Sequence, residues 1–278
     1  MFSVEKVSFS YDESDAALRD VTLNVKRGEF VGVTGASGSG KSTLLRAMVG
    51  IVPHYLRGHF FGAVKVNGVD TLETTPQELA HVVGFVGEDI DSQLICETVE
   101  EEILFGLENF SVPHEEIESR ITSVLDTLGM AHMRNKQLTA LSGGQRQKAA
   151  LAAMLALSPE ALILDNPSAE LDPAATENLY KAFAALNARG MTIIAAEQKL
   201  SVLCRYASRM VIMKGGSLLA CGDTQSIMND TDMLIDAGLM IPKRAVLASR
   251  LRKDGLYSGD VPLDIPRAAE MVRVICRD

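Results

Sequence analysis

The stretch that decides the fold is Phe30-Val-Gly-Val-Thr-Gly-Ala-Ser-Gly-Ser-Gly-Lys-Ser-Thr-Leu-Leu-Arg46. It starts with a short apolar run typical of a buried strand, passes through a glycine-rich turn, and continues into a helix pattern that ends at Gly50. Residues 35–42 match GxxxxGK[ST], in which glycines let backbone N–H groups approach phosphates beside a helix N-terminus. The sequence therefore predicts a phosphate-binding loop, and with it binding of a nucleoside triphosphate.

The pattern also assigns roles within this loop. The ammonium of Lys41 is expected to reach the β- and γ-phosphates, and the hydroxyl of Ser42 is expected to ligate Mg²⁺. The predicted ATP-binding residues of this segment are Gly35, Ala36, Ser37, Gly38, Ser39, Gly40, Lys41, Ser42 and Thr43.

Strand and helix patterns alternate along the rest of the chain. Buried strands are predicted at residues 81–86, 161–164 and 191–196, and a hairpin at residues 209–220. Helices are predicted at residues 98–107, 115–128, 143–157 and 174–188, and after residue 231 short helices are predicted with Pro242 and Pro266 at their first positions. Strands separated by helices predict an α/β fold with a mainly parallel sheet covered on both faces.

Composition excludes several classes of protein. The 278 residues are 47% apolar and 23% charged, as in an ordinary globular chain, and the net charge of −9 disfavours binding to nucleic acid. The longest apolar run, residues 149–157, is far shorter than the roughly 20 residues that span a bilayer. The opening residues lack the apolar core of a signal peptide. We therefore expect a cytoplasmic protein whose membrane role, if it has one, comes through partners.

A second motif, Leu141-Ser-Gly-Gly-Gln145, opens a helix pattern and is followed by an apolar strand pattern that ends at Asp165. With the phosphate loop, this arrangement resembles the nucleotide-binding subunits of ATP-binding cassette (ABC) transporters over residues 1 to about 230. The resemblance implies a P-loop ATPase with a mainly parallel core sheet, an antiparallel β subdomain and a helical subdomain at about residues 88–160. It further implies that residues 231–278 form a small helical extension used for dimerisation.

The same resemblance assigns further residues. In this family two cassettes meet head to tail, and ATP lies between the phosphate loop of one and the LSGGQ helix start of the other. Asp165 then holds Mg²⁺, and Tyr11 stacks on adenine, although an ordinary core aromatic remains an alternative for Tyr11. The residues expected to contact a nucleotide bound to the partner chain are Ser142, Gly143, Gly144, Gln145 and Asp172.

Three positions depart from the family pattern. Asn166 stands where the family has the glutamate that activates water, Gln198 stands at the switch histidine, and Glu88 replaces a glutamine near Mg²⁺. An amide cannot take up a proton near neutral pH, and losing a general base costs about 10²–10⁴ in rate. Our hypothesis is that this chain's own site binds ATP but hydrolyses it poorly, while its LSGGQ motif completes a site on another cassette. Rescue by Glu88, Glu170 or Glu197 remains open.

The type of transporter is indicated by residues 83–93 and by Glu97-Thr-Val-Glu-Glu-Glu-Ile-Leu-Phe-Gly-Leu-Glu-Asn109, which resemble energy-coupling factor (ECF) importers. That resemblance implies uptake of a vitamin or a transition-metal ion from the cytoplasmic face of the membrane. The implied partners are a second ATPase in a heterodimer, a transmembrane scaffold subunit and a substrate-binding membrane subunit. The alternative is a non-hydrolytic interaction subunit gated by nucleotide. The acidic balance disfavours the ABC proteins of DNA repair and translation.

Overall fold

The structure is a computed structural model that describes residues 1–11 and 15–276. Its strands are β1 (Phe2–Ser10), β2 (Ala16–Val25), β3 (Phe30–Gly35), β4 (His59–Val66), β5 (Val69–Asp70), β6 (Val83–Val86), β7 (Ala161–Asp165), β8 (Thr192–Ala196), β9 (Arg209–Lys214) and β10 (Ser217–Asp223). Its α-helices are α1 (Lys41–Met48), α2 (Ile51–His54), α3 (Pro76–Leu79), α4 (Val99–Asn109), α5 (His114–Thr127), α6 (Gly143–Ala156), α7 (Pro173–Ala188), α8 (Leu200–Tyr206), α9 (Thr224–Asn229), α10 (Thr231–Asp236), α11 (Lys243–Lys253) and α12 (Ile265–Ile275).

These strands form two sheets. The larger sheet has the order β10-β9-β3-β8-β7-β6, and all its neighbours are parallel except the β9–β10 hairpin. The smaller sheet has the order β2-β1-β4-β5 and is antiparallel throughout. The predicted α/β fold with a mainly parallel sheet is confirmed.

Burial explains the two strand patterns. Every residue of β3, β7 and β8 is buried, because helices cover one face of the parallel sheet, and α1 together with the antiparallel sheet covers the other. In β2, exposed and buried residues alternate from Asp20 to Val25, as expected of a strand with one face in the core. The continuous apolar runs and the alternating runs of the sequence thus correspond to different sheets.

Helices α4, α5 and α6 occupy the chain between β6 and β7. Helix α4 begins after Thr98, whose backbone N–H donates to the carboxylate of Glu101 while its hydroxyl accepts from the Glu101 N–H. The buried carboxylate of Glu102 accepts hydrogen bonds from the backbone N–H groups of Ile95 and Cys96, at 2.9 Å each. The segment that leads from β6 to α4 is therefore fixed to α4 itself.

The C-terminal helices pack on the same core as the parallel sheet. Arg244 of α11 donates to the carbonyl oxygens of Leu263 at 2.6 Å and Ser201 at 3.3 Å, which ties α11 to α8. Each proline prediction was off by one position, in opposite directions: α11 begins one residue after Pro242, and α12 begins one residue before Pro266. Within residues 1–11 and 15–276, no helix combines the length and the apolar character needed to cross a bilayer.

Candidate nucleotide-binding site

The candidate site lies where β3, β8 and β7 end. These strands are neighbours and run parallel, so their carboxyl ends meet at one edge of the sheet. Polar residues follow each strand there: the phosphate loop of residues 35–42 follows β3, Asp165 closes β7, and Gln198 lies two residues beyond β8. The crevice outside the carboxyl ends of parallel strands is where α/β folds bind ligands.

The phosphate loop is shaped by its glycines. Gly38 and Gly40 have φ values of 74° and 97°, in the left-handed region that favours glycine. A Cβ atom on Gly40 would lie 2.5 Å from the carbonyl oxygen of Ala17, which is backbone and cannot move aside. The loop then enters α1 at Lys41, so the free N–H groups of the first helical turn face the turn. This is the geometry of an anion site at a helix N-terminus.

Lys41 is 9% exposed. Its ammonium donates to the carbonyl oxygens of Gly35 at 2.9 Å and Ala36 at 3.0 Å. Burial lowers the pKa of Lys41, and the carboxylates of Asp165 and Glu88 oppose that shift. The loop thus holds a buried cation beside two acidic groups. In a complex with nucleotide, the negative charge of the phosphate chain would take over from these carboxylates as the partner of the ammonium.

Asp165 is 2% exposed at the end of β7. Burial raises the pKa of its carboxyl group, and a hydrogen bond from the hydroxyl of Ser42 opposes this. One carboxylate oxygen, Oδ2, is buried without a hydrogen-bond partner. A hydroxyl and an unpartnered carboxylate oxygen beside a phosphate loop are the hard oxygen ligands that suit Mg²⁺, so these residues fit the ion.

Asn166 and Glu88 are in direct contact. The amide Nδ2 of Asn166 donates to Oε1 of Glu88 at 2.8 Å, and the Asn166 backbone has a φ of 52°. The structure therefore brings together two of the positions that depart from the family pattern. Their positions in the sequence do not indicate that they touch. Their complementary chemistry, an amide at one position and a carboxylate at the other, was the available indication of the bond.

The LSGGQ motif lies at the start of α6. Ser142 caps the helix and is exposed, and its backbone N–H donates to the side chain of Gln145 at 3.0 Å. Gly143 lies against the carboxylate of Glu170, and Gly144 against the side chain of Leu171, so neither has room for a methyl group unless these side chains move. The motif thus offers an open helix N-terminus that is packed on the segment following Asp165.

Comparison with known proteins decides the family. The model of the ABC transporter family matches residues 18–169. This chain belongs to the ABC transporter ATPases. It is similar to the energy-coupling factor transporter ATP-binding protein EcfA of Methanothermobacter thermautotrophicus, at 32% identity over 95% of this chain and 84% of that protein.

Solved structures agree with this assignment. CbiO1 of Clostridium perfringens, described as part of the transporter complex CbiONQ, is 28% identical with a TM-score of 0.75, covering 89% of this chain and 98% of that one. A dimeric post-hydrolysis state of the cassette MJ0796, bound to ADP and phosphate, is 27% identical with a TM-score of 0.71, covering 81% and 99%. The ABC cassette fold and the assignment as an ATPase are therefore confirmed. Other relatives at 34–39% identity are longer, and this chain spans 38–46% of their length.

Two further residues predicted for the site of this ABC ATPase are Tyr11 and Asp172. The hydroxyl of Tyr11 is 3.0 Å from the hydroxyl of Thr43 on α1, and its ring meets the ring of Phe9 edge to face. Asp172 caps α7 by accepting the N–H of Ala175 at 2.7 Å. Tyr11 therefore lies beside the phosphate loop, whereas the Asp172 carboxylate has a role within its own helix.

The three carboxylates considered as substitute bases have different surroundings. Glu197 is fully buried, and its Oε1 accepts hydrogen bonds from the Ser168 N–H and the Tyr180 hydroxyl. The Glu170 carboxylate lies against Gly143. Glu88, which bonds to Asn166, is the one of the three that contacts the position of the missing glutamate.

Proposed function

We propose that this ABC ATPase is the ATP-binding subunit of an ECF-type importer and couples ATP binding and hydrolysis to uptake of a vitamin or a transition-metal ion. Its similarity to EcfA and to CbiO1 supports the ECF type. In this proposal the phosphate loop binds the triphosphate, and Ser42 and Asp165 hold Mg²⁺, with Glu88 beside them. The ion, when bound, shields the phosphate charges and acts as a Lewis acid.

The second part of the proposal is that the chain's own site hydrolyses ATP slowly. The observation that carries it is the 2.8 Å bond between the Asn166 amide and Glu88. An amide at position 166 orients a water but cannot accept its proton. The carboxylate of the pair is instead on the β6 side, where its charge acts on Lys41 and Asp165. The chain's own site thus retains its binding groups, but the amide and the carboxylate have exchanged places relative to the family pattern. The carboxylate is at position 88 and the amide at position 166.

Restoring the usual order of these two residues tests that part. The double variant Glu88→Gln with Asn166→Glu is assayed in the assembled complex, with the second cassette's catalytic glutamate changed to glutamine. We expect the turnover of the complex to rise by about 10²-fold, the lower end of what a general base supplies. Each single variant is the control, because Asn166→Glu alone places two carboxylates together. High turnover in the parent contradicts a slow own site, and equal low turnover in the parent and the double variant contradicts the exchanged pair as its cause.

In the third part of the proposal, the helix start at Ser142 contacts a nucleotide bound to a second cassette. The dimeric state of MJ0796 supports a paired arrangement. If the sites are unequal, Lys41→Ala in the complex lowers turnover less than the same change in the second cassette's phosphate loop, which lowers it by at least about 10²-fold. Equal losses in the two variants contradict this arrangement. No turnover in any version favours the non-hydrolytic interaction subunit.

A surface for the membrane subunit completes the proposal. A cavity of about 560 Å³ lies between the segments around α2 and α3 and the C-terminal ends of α4 and α6. Its lining is mostly apolar and includes Tyr55, Leu79, Phe85, Phe110 and Met154. Tyr55 is 59% exposed. We assign this cavity to a helix of the transmembrane scaffold subunit, because the similar CbiO1 is part of a complex with further subunits.

A charge placed in this cavity tests the assignment. Tyr55→Asp is expected to lower co-purification of the membrane subunits with a tagged chain, since a carboxylate opposes burial of an apolar helix. Phe61→Asp is the matched control, because Phe61 is an aromatic residue of similar exposure, 68%, on the antiparallel sheet. Equal recovery of membrane subunits with both variants refutes the assignment.

A further inference from the structure

Glu197 is an acidic residue in the interior of the protein. Its side chain is fully buried, and Oε1 accepts hydrogen bonds of 3.0 Å from the Ser168 N–H and from the hydroxyl of Tyr180, itself fully buried. The other oxygen, Oε2, is buried without a hydrogen-bond partner. Burial raises the pKa of this carboxyl group. A buried ionisable group with an unpartnered oxygen is costly, and its bond to Ser168 is the feature that calls for an explanation.

Glu197 is part of a set of bonds that hold one loop to another. We call residues 196–199, from the last residue of β8 onward, the switch loop, and residues 166–172, which follow β7, the linking loop. The Asn166 N–H donates to the Ala196 carbonyl at 2.9 Å, and the ammonium of Lys199 donates to the Ser168 carbonyl at 2.9 Å. With Glu197, the switch loop thus holds both the N–H and the C=O of Ser168. Gln198, expected at the γ-phosphate, lies between the two residues that do so.

The other end of the linking loop touches the LSGGQ motif. Gly143 is in contact with the carboxylate of Glu170, and Gly144 with the side chain of Leu171. The Leu171 N–H also donates to the Ser168 carbonyl at 3.3 Å. A short series of contacts therefore runs from the switch loop through Ser168 to the helix start at Ser142.

We propose that Glu197 is a positioning residue that makes the switch loop and the linking loop move together, so that ATP in this chain's own site sets the position of the Ser142 helix start presented to the partner's nucleotide. This inference rests on the proposed function, because it needs ATP bound at the own site. A slow own site then has a regulatory role: it reports its occupancy to the site where hydrolysis occurs. Such a coupling is reciprocal, so a nucleotide gripped by Ser142 strengthens ATP binding at Lys41.

Burial is what makes Glu197 suitable for this role. Exposed ion pairs yield to side-chain motion, whereas a hydrogen-bonded carboxylate in a packed interior has one arrangement. Lys199, which is exposed, supports the same backbone group from outside. Removing either contact should loosen Ser168 while leaving the phosphate loop intact.

The chain has no tryptophan, which allows a single reporter to be introduced. Ala169→Trp places the indole on the exposed part of the linking loop, next to Ser168. The probes are Mg·ATP and Mg·ADP, added to the purified chain while Trp emission and nucleotide affinity are recorded. We expect an emission change with Mg·ATP and a much smaller one with Mg·ADP, because only ATP carries the γ-phosphate that Gln198 is expected to contact.

Variants in the reporter background then test the positioning residue. Glu197→Ala and Lys199→Met are expected to reduce the ATP-specific emission change by about fivefold or more. ATP affinity should stay within about a factor of three, because neither side chain belongs to the phosphate loop. Glu197→Gln retains an acceptor for the Ser168 N–H and should keep most of the response. Lys181→Met is the matched control, because Lys181 is an exposed lysine on α7.

The outcomes separate this inference from the proposed function. If the reporter chain does not bind Mg·ATP, the proposed ATP site is wrong and the coupling falls with it. If it binds Mg·ATP but the emission change is absent, or persists in Glu197→Ala and Lys199→Met, only the coupling is wrong. A lower melting temperature with an unchanged emission response assigns Glu197 a merely structural role. If Glu197→Ala does not fold, the emission responses of two other variants test the coupling. They are Lys199→Met and Tyr180→Phe, the second of which removes one hydroxyl donor to Glu197.

Discussion

The helix starts at Lys41 and at Ser142 both present backbone N–H groups, but they differ in how far their surroundings enclose them. The first is closed: Lys41 is 9% exposed, and its ammonium is bonded to two carbonyl groups of its own loop. The second is open: Ser142 is exposed, and the glycines that follow it pack on a neighbouring loop. A closed anion site belongs to its own chain, whereas an open one is available to another molecule.

Because of this difference, we expect substitutions at the two helix starts to affect different properties of the protein. The phosphate loop lies at the edge of the buried core. Substitutions there should therefore lower both the stability of the fold and the chain's own affinity for ATP. The start of α6 lies outside that edge, so changes there should leave folding intact and act on the proposed partner site. The predictions below test that separation, from the largest expected effect to the smallest.

The largest effect is expected at Ser142. Ser142→Arg places a long side chain over the helix N-terminus, which blocks a phosphate of the partner from reaching the N–H groups. We expect ATP turnover of the assembled complex to fall by about 10²–10³, the range for losing a preorganised donor to a developing negative charge. The measurement is steady-state phosphate release, with Mg·ATP affinity of the isolated chain in parallel.

Two controls accompany this variant. Ser119→Arg adds the same side chain at an exposed position of α5 and should leave turnover unchanged. Thermal unfolding of Ser142→Arg should show no more than the loss of one helix cap, about 1 kcal/mol, because Ser142 is exposed but caps α6. A larger loss of stability, or a fall in the chain's own ATP affinity, would contradict the separation of the two helix starts.

The second prediction compares one glycine from each helix start. Gly40→Ala combines a φ of 97° with a Cβ atom 2.5 Å from the Ala17 carbonyl oxygen, and should lower the free energy of unfolding by about 2–3 kcal/mol. In Gly143→Ala the new methyl meets the end of the Glu170 side chain, which is exposed and can swing away. Its cost should be about 1 kcal/mol or less. Urea unfolding of both variants gives the comparison, and equal costs contradict it.

Much of this architecture could be predicted from the sequence because the residues involved are neighbours along the chain. The apolar run before Gly35 and the glycines up to Gly40 specify a strand, a turn and a helix within a short segment. The same holds for β7, where an apolar run ends at Asp165. Local patterns of this kind depend on burial and backbone geometry, which a single segment encodes.

The contacts between distant segments could not be predicted in this way. Asn166 and Glu88 are 78 positions apart, and Glu197 and Ser168 are 29 apart, so no spacing indicates either bond. Glu197 was considered only as a substitute base, because nothing in its local sequence shows that it is fully buried. Burial of a polar side chain depends on the fold as a whole.

The third prediction concerns the pH dependence of stability. Burial raises the pKa of Glu197 above its usual 4.5, so the folded state retains this proton to higher pH than the unfolded state. The stability contributed by the protonated carboxyl is complete below about 4.5 and is lost as pH rises through the folded pKa. In Glu197→Gln the side chain does not titrate, so this loss of stability with rising pH does not occur. Its melting temperature relative to the parent should therefore increase between pH 4.5 and pH 8, and a difference that is constant or falls with pH refutes the buried carboxyl as its source.

The smallest effect is expected at Tyr11, where it distinguishes an adenine stack from an ordinary core aromatic. As a stacking residue, Tyr11→Phe keeps the ring and should preserve Mg·ATP affinity, although it loses the 3.0 Å contact with Thr43. Tyr11→Ala should weaken affinity about 2- to 10-fold, the range for one aromatic pair. If Tyr11 is instead a core aromatic, both variants should lower the melting temperature and leave Mg·ATP affinity unchanged. Because Tyr11 lies beside the closed helix start, partner-site turnover at saturating ATP should be the same in both variants. This expectation is the opposite of the one for Ser142, where turnover should fall and the chain's own ATP affinity should not.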